Sequence, residues 1–210
     1  MMQVKISDLI YINDAARALK KSNVMWIKNK LICIDNLNYI IFCSLDPDKL
    51  SVLPNRGIIF NQRELSKFMK AVSTESQFDI GDSEFNQTTV LSTSLSNETL
   101  IIKVSNKLDK MILDKLYTAI NIDINMMHNN EINVSKELSQ LYGLTKTAGS
   151  ILYKHDCCHT MTLFNGILPL NKADLIFLTL YDNPDNTFIA RFRIQKKNFN
   201  IYSYMAYLKV

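Results

Sequence analysis

Hydrophobic and polar positions change period three times along the chain, and each change marks the same succession of elements. In "VKISDLIYINDAARALKK" a strand-like triplet gives way to apolar positions at Leu9, Ile12, Ala16 and Leu19. Spacings of three and four predict a helix, with Ser7 as its N-cap. "GIIFNQRELSKFMKAV" repeats the order, with Asn61 as cap and Glu64 three residues later approximating a capping box. "NEINVSKELSQLYGLTKTAG" opens a third copy, with Ser135 as cap and Leu138, Leu141 and Tyr142 turned inward. The openings align as Val4, Ser7, Ile10; Ile58, Asn61, Glu64; and Ile132, Ser135, Leu138. Their likeness lies in the order of elements more than in residue identity.

Runs of β-branched and aromatic residues follow each opening. "VMWIKNKLICID" and "LNYIIFCSLD" follow the first, and "QFDIGDSEF", "TTVLSTSLS" and "TLIIKVS" the second. "ILYKHDCCHTMTLFN", "ADLIFLTLYD", "TFIARFRI" and "FNIYSYMAYLKV" follow the third. Repetition of strand, helix and strand pairs predicts an α+β fold of two similar domains, with a few helices packed on large antiparallel sheets. "KLDKMILDKLYTAINIDINMMHNN" fits the repeat poorly and reads as a connector. The expected division is an N-terminal domain over 1–106, a connector over 107–130 and a C-terminal domain over 131–210. The last is expected to be reduced, because only one clear helix follows residue 130, a further one being either shrunk to "GILPLNKAD" or lost.

Composition narrows the class. With 47% hydrophobic residues in 210, the chain can bury a core and is not disordered. "MMQVKISDLIYINDAARALKK" lacks the unbroken apolar core of a signal peptide, and no run approaches the roughly 18 residues of a membrane span. A cytoplasmic protein without membrane attachment is expected, with Cys33, Cys43, Cys157 and Cys158 reduced. The abundance of Asn, Ile, Lys, Asp and Tyr suits an AT-rich coding sequence of viral or phage type. A net charge of +4 permits nucleic-acid binding only if the charge is concentrated.

Such a concentration is visible on the second helix. Arg63, Lys67 and Lys70 share one face, while Leu65, Phe68, Met69 and Val72 share the other. The first helix supplies Arg17, Lys20 and Lys21, and the third supplies Lys136 with Lys146 near its end. A basic face on an exposed helix is ordinarily a solvated face, and that reading stands beside a phosphate-contacting one. Glu64 and Glu137 interrupt the stripes near the helix starts, where the dipole favours acids.

"HDCCH", His155 to His159, is the conspicuous cluster for other chemistry. On a strand His155, Cys157 and His159 would share a face and offer three ligands to zinc. The spacing is not that of a zinc finger, and no second CxxC or HxxxH occurs. Ordinary strand residues are the favoured reading, and no metal or cofactor is expected. A Cys–His nucleophile is disfavoured, because Cys158 and His159 would point to opposite faces and no oxyanion loop is visible. Asp79, Asp82 and Glu84 read as a polar hairpin turn rather than a metal site. No P-loop, GxGxxG, HExxH or nucleophile elbow is present, so an enzyme is not expected. The aromatic end "FNIYSYMAY" reads as a strand packed on helices ahead of a base-stacking surface.

The order of elements resembles the DNA sliding clamps, the processivity-factor family, in a viral or phage-like form. "RGIIFNQRELSKFMKAV" with "FDIGDSEF" and "TTVLSTSLSNETLIIKV" resembles the second repeat of a clamp's first domain. "KADLIFLTLYDNPDNTFIARFRIQKKNFNIYSYMAYLKV" resembles the closing strands of a last domain. The resemblance implies the DNA clamp fold and a homotrimeric ring around duplex DNA, closed head to tail through edge strands. It also implies a DNA polymerase as partner and a separate clamp loader. On it, Arg17, Lys20, Lys21, Arg63, Lys67, Lys70, Lys136 and Lys146 would face the DNA backbone. Ile120, Ile122 and Met126 of the connector, with Ala206, Tyr207 and Leu208, would border a pocket for partner peptides. A linker that packs its own isoleucines down is an equal reading there. The alternative function is a clamp-fold viral transcription factor or protein scaffold that does not encircle DNA.

Overall fold

The computed structural model describes residues 2–33, 40–55, 57–71, 77–83, 88–92, 99–102, 130–164, 168–169, 174–182 and 188–209. The chain divides into two compact units, 1–35 with 43–109, and 36–42 with 110–210. Both are α+β, with helices packed on antiparallel sheets.

In the first unit, β1 (Met2–Lys5) leads directly into α1 (Ile6–Leu19), and β5 (Ile58–Asn61) leads into α2 (Gln62–Ala71). One sheet runs β1, β6 (Gln77–Ser83), β7 (Thr88–Ser92), β8 (Thr99–Ile102). The other runs β5, β2 (Asn23–Ile27), β3 (Lys30–Cys33), then β4 (Ile40–Ser44), a strand divided between the units. Leu9, Ile12, Ala15, Ala16 and Leu19 of α1 are wholly buried, as are Leu65 and Phe68 of α2. The apolar positions read from the sequence are therefore the core face.

The caps differ from the sequence reading in two of three cases. Asn61 caps α2 as expected, its Oδ1 accepting from the N–H of Arg63 at 3.1 Å and of Glu64 at 3.3 Å. Ser7 does not cap α1, which begins two residues earlier, at Ile6 behind Lys5, without a side-chain cap bond. Asp8 occupies that first turn instead. It is buried, and it accepts from the backbone N–H and the hydroxyl of Ser51, pinning the loop after β4 to the helix start. A Cβ at Gly57 would stand 2.4 Å from the Met25 sulfur, so a larger residue there would require the Met25 side chain to shift.

In the second unit β9 (Ile132–Asn133) leads into α3 (Ser135–Ala148). Ser135 is the first helical residue rather than the cap. Asn133 accepts from its N–H at 3.0 Å, and the Ser135 hydroxyl turns to accept from the Ile176 N–H at 2.8 Å. α3 is the one helix among the described residues after 130. One sheet orders β14 (Asn200–Ala206), β13 (Phe188–Gln195), β12 (Leu175–Asp182) and β9. The other orders β10 (Ser150–Lys154), β11 (His159–Phe164) and β15 (Leu208–Lys209). Asp79 and Asp82 lie in β6, not in a turn, and Glu84 lies outside the described residues.

Register separates two faces of the β12–β14 sheet. Ile176, Ile194 and Ile201 align across it, as do Leu178, Phe192 and Ser203, and these are all buried. The opposite face aligns Phe177, Arg193 and Tyr202, and Thr179, Arg191 and Tyr204. Arg191 is 4% exposed, and its charge is met by Glu131 at 3.2 Å and Thr179 at 3.2 Å. Arg193 grips the same carboxylate through Nε at 2.9 Å and lies 4.2 Å over the Phe177 ring. The Arg193 hydrogen bond is the main cause holding the Glu131 carboxyl below its ordinary value, with burial opposing it.

Phe192→Ala should destabilise by about 3–5 kcal/mol in denaturant titration, and Asn61→Ala by about 1 kcal/mol. Because the folded pKa of Glu131 is depressed, its stabilisation is complete above the ordinary value of 4.5 and fades as pH falls through the folded value. Glu131→Gln should therefore lower stability at pH 7, with the difference from the parent closing in acid.

Candidate nucleic-acid interface

Burying one face of an amphipathic helix leaves the residues at other angles outside. On α1, Arg17 is exposed. Lys20 and Lys21 follow at its end, exposed and half-buried. Lys20 takes the left-handed conformation (φ +54°) and donates its N–H to the Arg17 carbonyl at 3.1 Å, which stops the helix there. On α2, Arg63, Lys67 and Lys70 are all exposed.

A polar bridge seats the two helices side by side. Ser66 Oγ donates to Asn13 Oδ1 at 2.8 Å and accepts from Gln62 Nε2 at 2.8 Å. Arg17 stands one turn beyond Asn13 on α1, while Arg63 and Lys70 stand one turn to either side of Ser66 on α2. Each helix therefore carries a small basic patch of its own near the bridge.

Acids thin both patches. Lys67 pairs with Glu64 at 2.8 Å, an exposed pair one turn apart, and Asp14 is exposed on α1 one turn before Arg17. Asp8 subtracts nothing from the surface, because it is turned into the core.

In the second unit Lys136 is exposed in the first turn of α3, and the side chain of Lys146 lies outside the described residues. Glu137, beside Lys136, accepts from the Tyr153 hydroxyl at 2.5 Å, and burial with this bond raises the phenol above its ordinary range.

Of the residues expected to border a peptide pocket, Ile120, Ile122 and Met126 lie outside the described residues. Ala206 is exposed at the end of β14, and Leu208 is 69% exposed in β15. Tyr207 between them is buried. Its ring lies 5.4 Å from both His159 and Phe188, and its hydroxyl donates to Asp182. It anchors β15 and offers little surface of its own.

The expected strand through "HDCCH" is corrected. His155 ends the run after β10, and Asp156, Cys157 and Cys158 form the turn into β11. The reason is Asp156, whose Oδ1 accepts from the N–H of Cys158 at 2.7 Å and of His159 at 2.8 Å. A short carboxylate bonding to backbone two and three residues on makes a turn where a strand would leave it without these bonds. Asn13, Ser66 and Gln62 also went unmarked by periodicity, since half-buried polar residues between two helices look like any solvated position.

No family model matches the chain, and no curated protein matches it. Among solved structures it is similar to the PCNA of A. fulgidus bound to the C-terminal region of FEN-1, at 10% identity and a TM-score of 0.45. That likeness covers 99% of this chain and 98% of the other. It is also similar to the DNA polymerase sliding clamp of Pseudomonas aeruginosa, at 10% identity and a TM-score of 0.44. A third is DNA polymerase III subunit beta of Borrelia burgdorferi, at 8% identity and a TM-score of 0.44. The chain spans 64% of the length of each of these bacterial proteins, which cover 100% and 98% of it.

The bridge and the exposed pair should separate in mutagenesis. Ser66→Ala should cost about 0.5–1.5 kcal/mol, while Lys67→Ala should leave the midpoint of unfolding nearly unmoved, both read by denaturant titration.

Proposed function

We propose that this protein is a sliding-clamp-like processivity factor that encircles duplex DNA as a ring and tethers a DNA polymerase. The observation that supports the reading is that Arg17 and Lys20 of α1 and Arg63 and Lys70 of α2 are exposed, with Lys21 half-buried beside them, on two helices joined by the Asn13–Ser66 bond. Long cationic side chains on rigid helices suit phosphates, which repeat along DNA without sequence information, so such contacts retain the duplex while permitting sliding. Lys136 of α3 would add a further cation, with Lys146. The ring would close head to tail as a homotrimer through edge strands, since an exposed edge is satisfied by a partner strand. Tethering would convert polymerase rebinding into an intramolecular event at raised effective concentration. Loading would fall to a separate ATP-dependent loader. Ala206 and Leu208 would meet partner peptides beside the connector.

The alternative within the same fold is a transcription factor or scaffold, of viral type, that binds proteins without surrounding DNA. Solution mass and retention on circular against linear DNA separate the two. A ring of several copies should stay on closed circles and run off linear ends. A monomer that leaves circles as fast as linear DNA, even with its loader present, overturns the ring. Replacing Arg17, Arg63 and Lys70 by Ala should also flatten the plot of log affinity against log salt, by about 0.9 for each phosphate contact removed. An unchanged slope would place the DNA contact elsewhere.

A further inference from the structure

The turn between β10 and β11 gathers a set of ligands that the proposed DNA-binding role does not use. A carboxylate oxygen of Asp156 and the sulfurs of Cys157 and Cys158 all lie within 4.8 Å of one another. The two sulfurs are 3.4 Å apart. Tetrahedral zinc with bonds of about 2.3 Å to sulfur sets its thiolates roughly 3.8 Å apart, so the pair needs only a small adjustment to share one ion. Adjacent residues on a strand would have sent these thiols to opposite faces. The turn imposed by Asp156 brings them together.

Three features fit the cluster to a cation. The thiols are accessible, with Cys157 exposed and Cys158 partly so, whereas Cys33 and Cys43 are buried. The carboxylate is already oriented. Its Oδ1 is occupied by two backbone N–H groups, and both oxygens face Nδ1 of His159, at 2.8 and 2.7 Å. Oδ2 receives only the imidazole, which leaves it a lone pair for a metal. A histidine holding a ligating carboxylate is the kind of outer partner that sets ligand geometry in metal sites. The dithiol, moreover, has no easy route to an internal disulfide. Neighbouring Cα atoms stand about 3.8 Å apart across a trans peptide, below the range in which disulfides are unstrained.

We propose that Asp156, Cys157 and Cys158 form a binding site for a soft divalent cation of the zinc class, with two thiolates and one carboxylate as protein ligands and the fourth position open to water. Thiolate ligands select such ions over magnesium or calcium. The site lies at the tip of the hairpin whose second strand receives β15, through the pairs His159 with Lys209 and Thr160 with Leu208. Ion binding would therefore brace the turn on which the C-terminal strand is seated. The inference is independent of the DNA reading.

The test uses the full chain, stripped with chelator and kept reduced with a phosphine, and titrated with Co²⁺ and then Zn²⁺. Expected are one Co²⁺ per chain, sulfur-to-cobalt charge-transfer absorption, and displacement by Zn²⁺. Cys157→Ser and Cys158→Ser should each weaken binding by about 100-fold, Asp156→Asn by about 10-fold, and Cys33→Ser not at all. Saturating Zn²⁺ should also slow alkylation of the two accessible thiols in the unsubstituted protein, a readout that needs no variant to fold. Binding without charge transfer, or binding unchanged in both cysteine variants, means an adventitious ion only and overturns the site. Equal alkylation with and without Zn²⁺ does the same.

Discussion

Ser66, set between Asn13 and Gln62, ties together two helices that each carry exposed basic residues. Neither helix would amount to much alone. α1 carries Arg17 beside an exposed Asp14, and α2 has Lys67 already paired with Glu64. The cost of seating polar side chains between helices is small because each makes its hydrogen bonds. An apolar seam would also pack the helices, but it would specify their alignment less sharply, since hydrogen bonds demand particular partners at particular distances.

Charge is handled differently in the two units. In the first, Asp8 is drawn into the core to hold the loop at Ser51, which removes one acid from the helix surface. In the second, Arg191 and Arg193 are committed to Glu131 and to the rings of Tyr202 and Phe177. Those arginines sit on a strand and alternate with the buried Phe192 and Ile194, so their stems pack on the sheet while one carboxylate serves both heads. Such residues raise the formal net charge without adding to a binding surface. For this chain the placement of its cations says more than their number.

The β10–β11 turn shows how one short side chain redirects a segment. Without Asp156 the apolar residues on either side would favour a continuous strand. With it, two backbone N–H groups find an acceptor within the turn, and the chain reverses. The reversal places His159 where it can lie against Tyr207, which in turn is bonded to Asp182. Burial and the Asp182 bond both raise the Tyr207 phenol above its ordinary range, so it remains a donor at any physiological pH. The imidazole of His159 is also the main reason that Asp156 is held down to about 2.

Element types, the three strand–helix openings and the apolar helix faces were legible in the sequence, because periods of 2 and 3.6 survive any tertiary arrangement that buries one face. Leu9, Ile12, Leu65, Phe68 and Leu138 are buried where their spacing puts them, and Asn61 caps α2 because its side-chain oxygen reaches the backbone two and three residues on. The exposed basic positions on α1 and α2 were legible for the same reason. What the sequence could not carry was partnership. Nothing in the spacing of Ser66 says that it meets Asn13, and nothing in "KEL" says that Glu137 receives Tyr153. At α3 the Ser135 hydroxyl serves a long-range partner, Ile176, instead of capping, and in the first turn of α1 it is Asp8 that finds one, Ser51. Cys157 and Cys158 came to one side because the Asp156 bonds close a turn there. Periodicity is a local property of one element; hydrogen bonds between elements and the closing of turns depend on which segments the folded chain brings together.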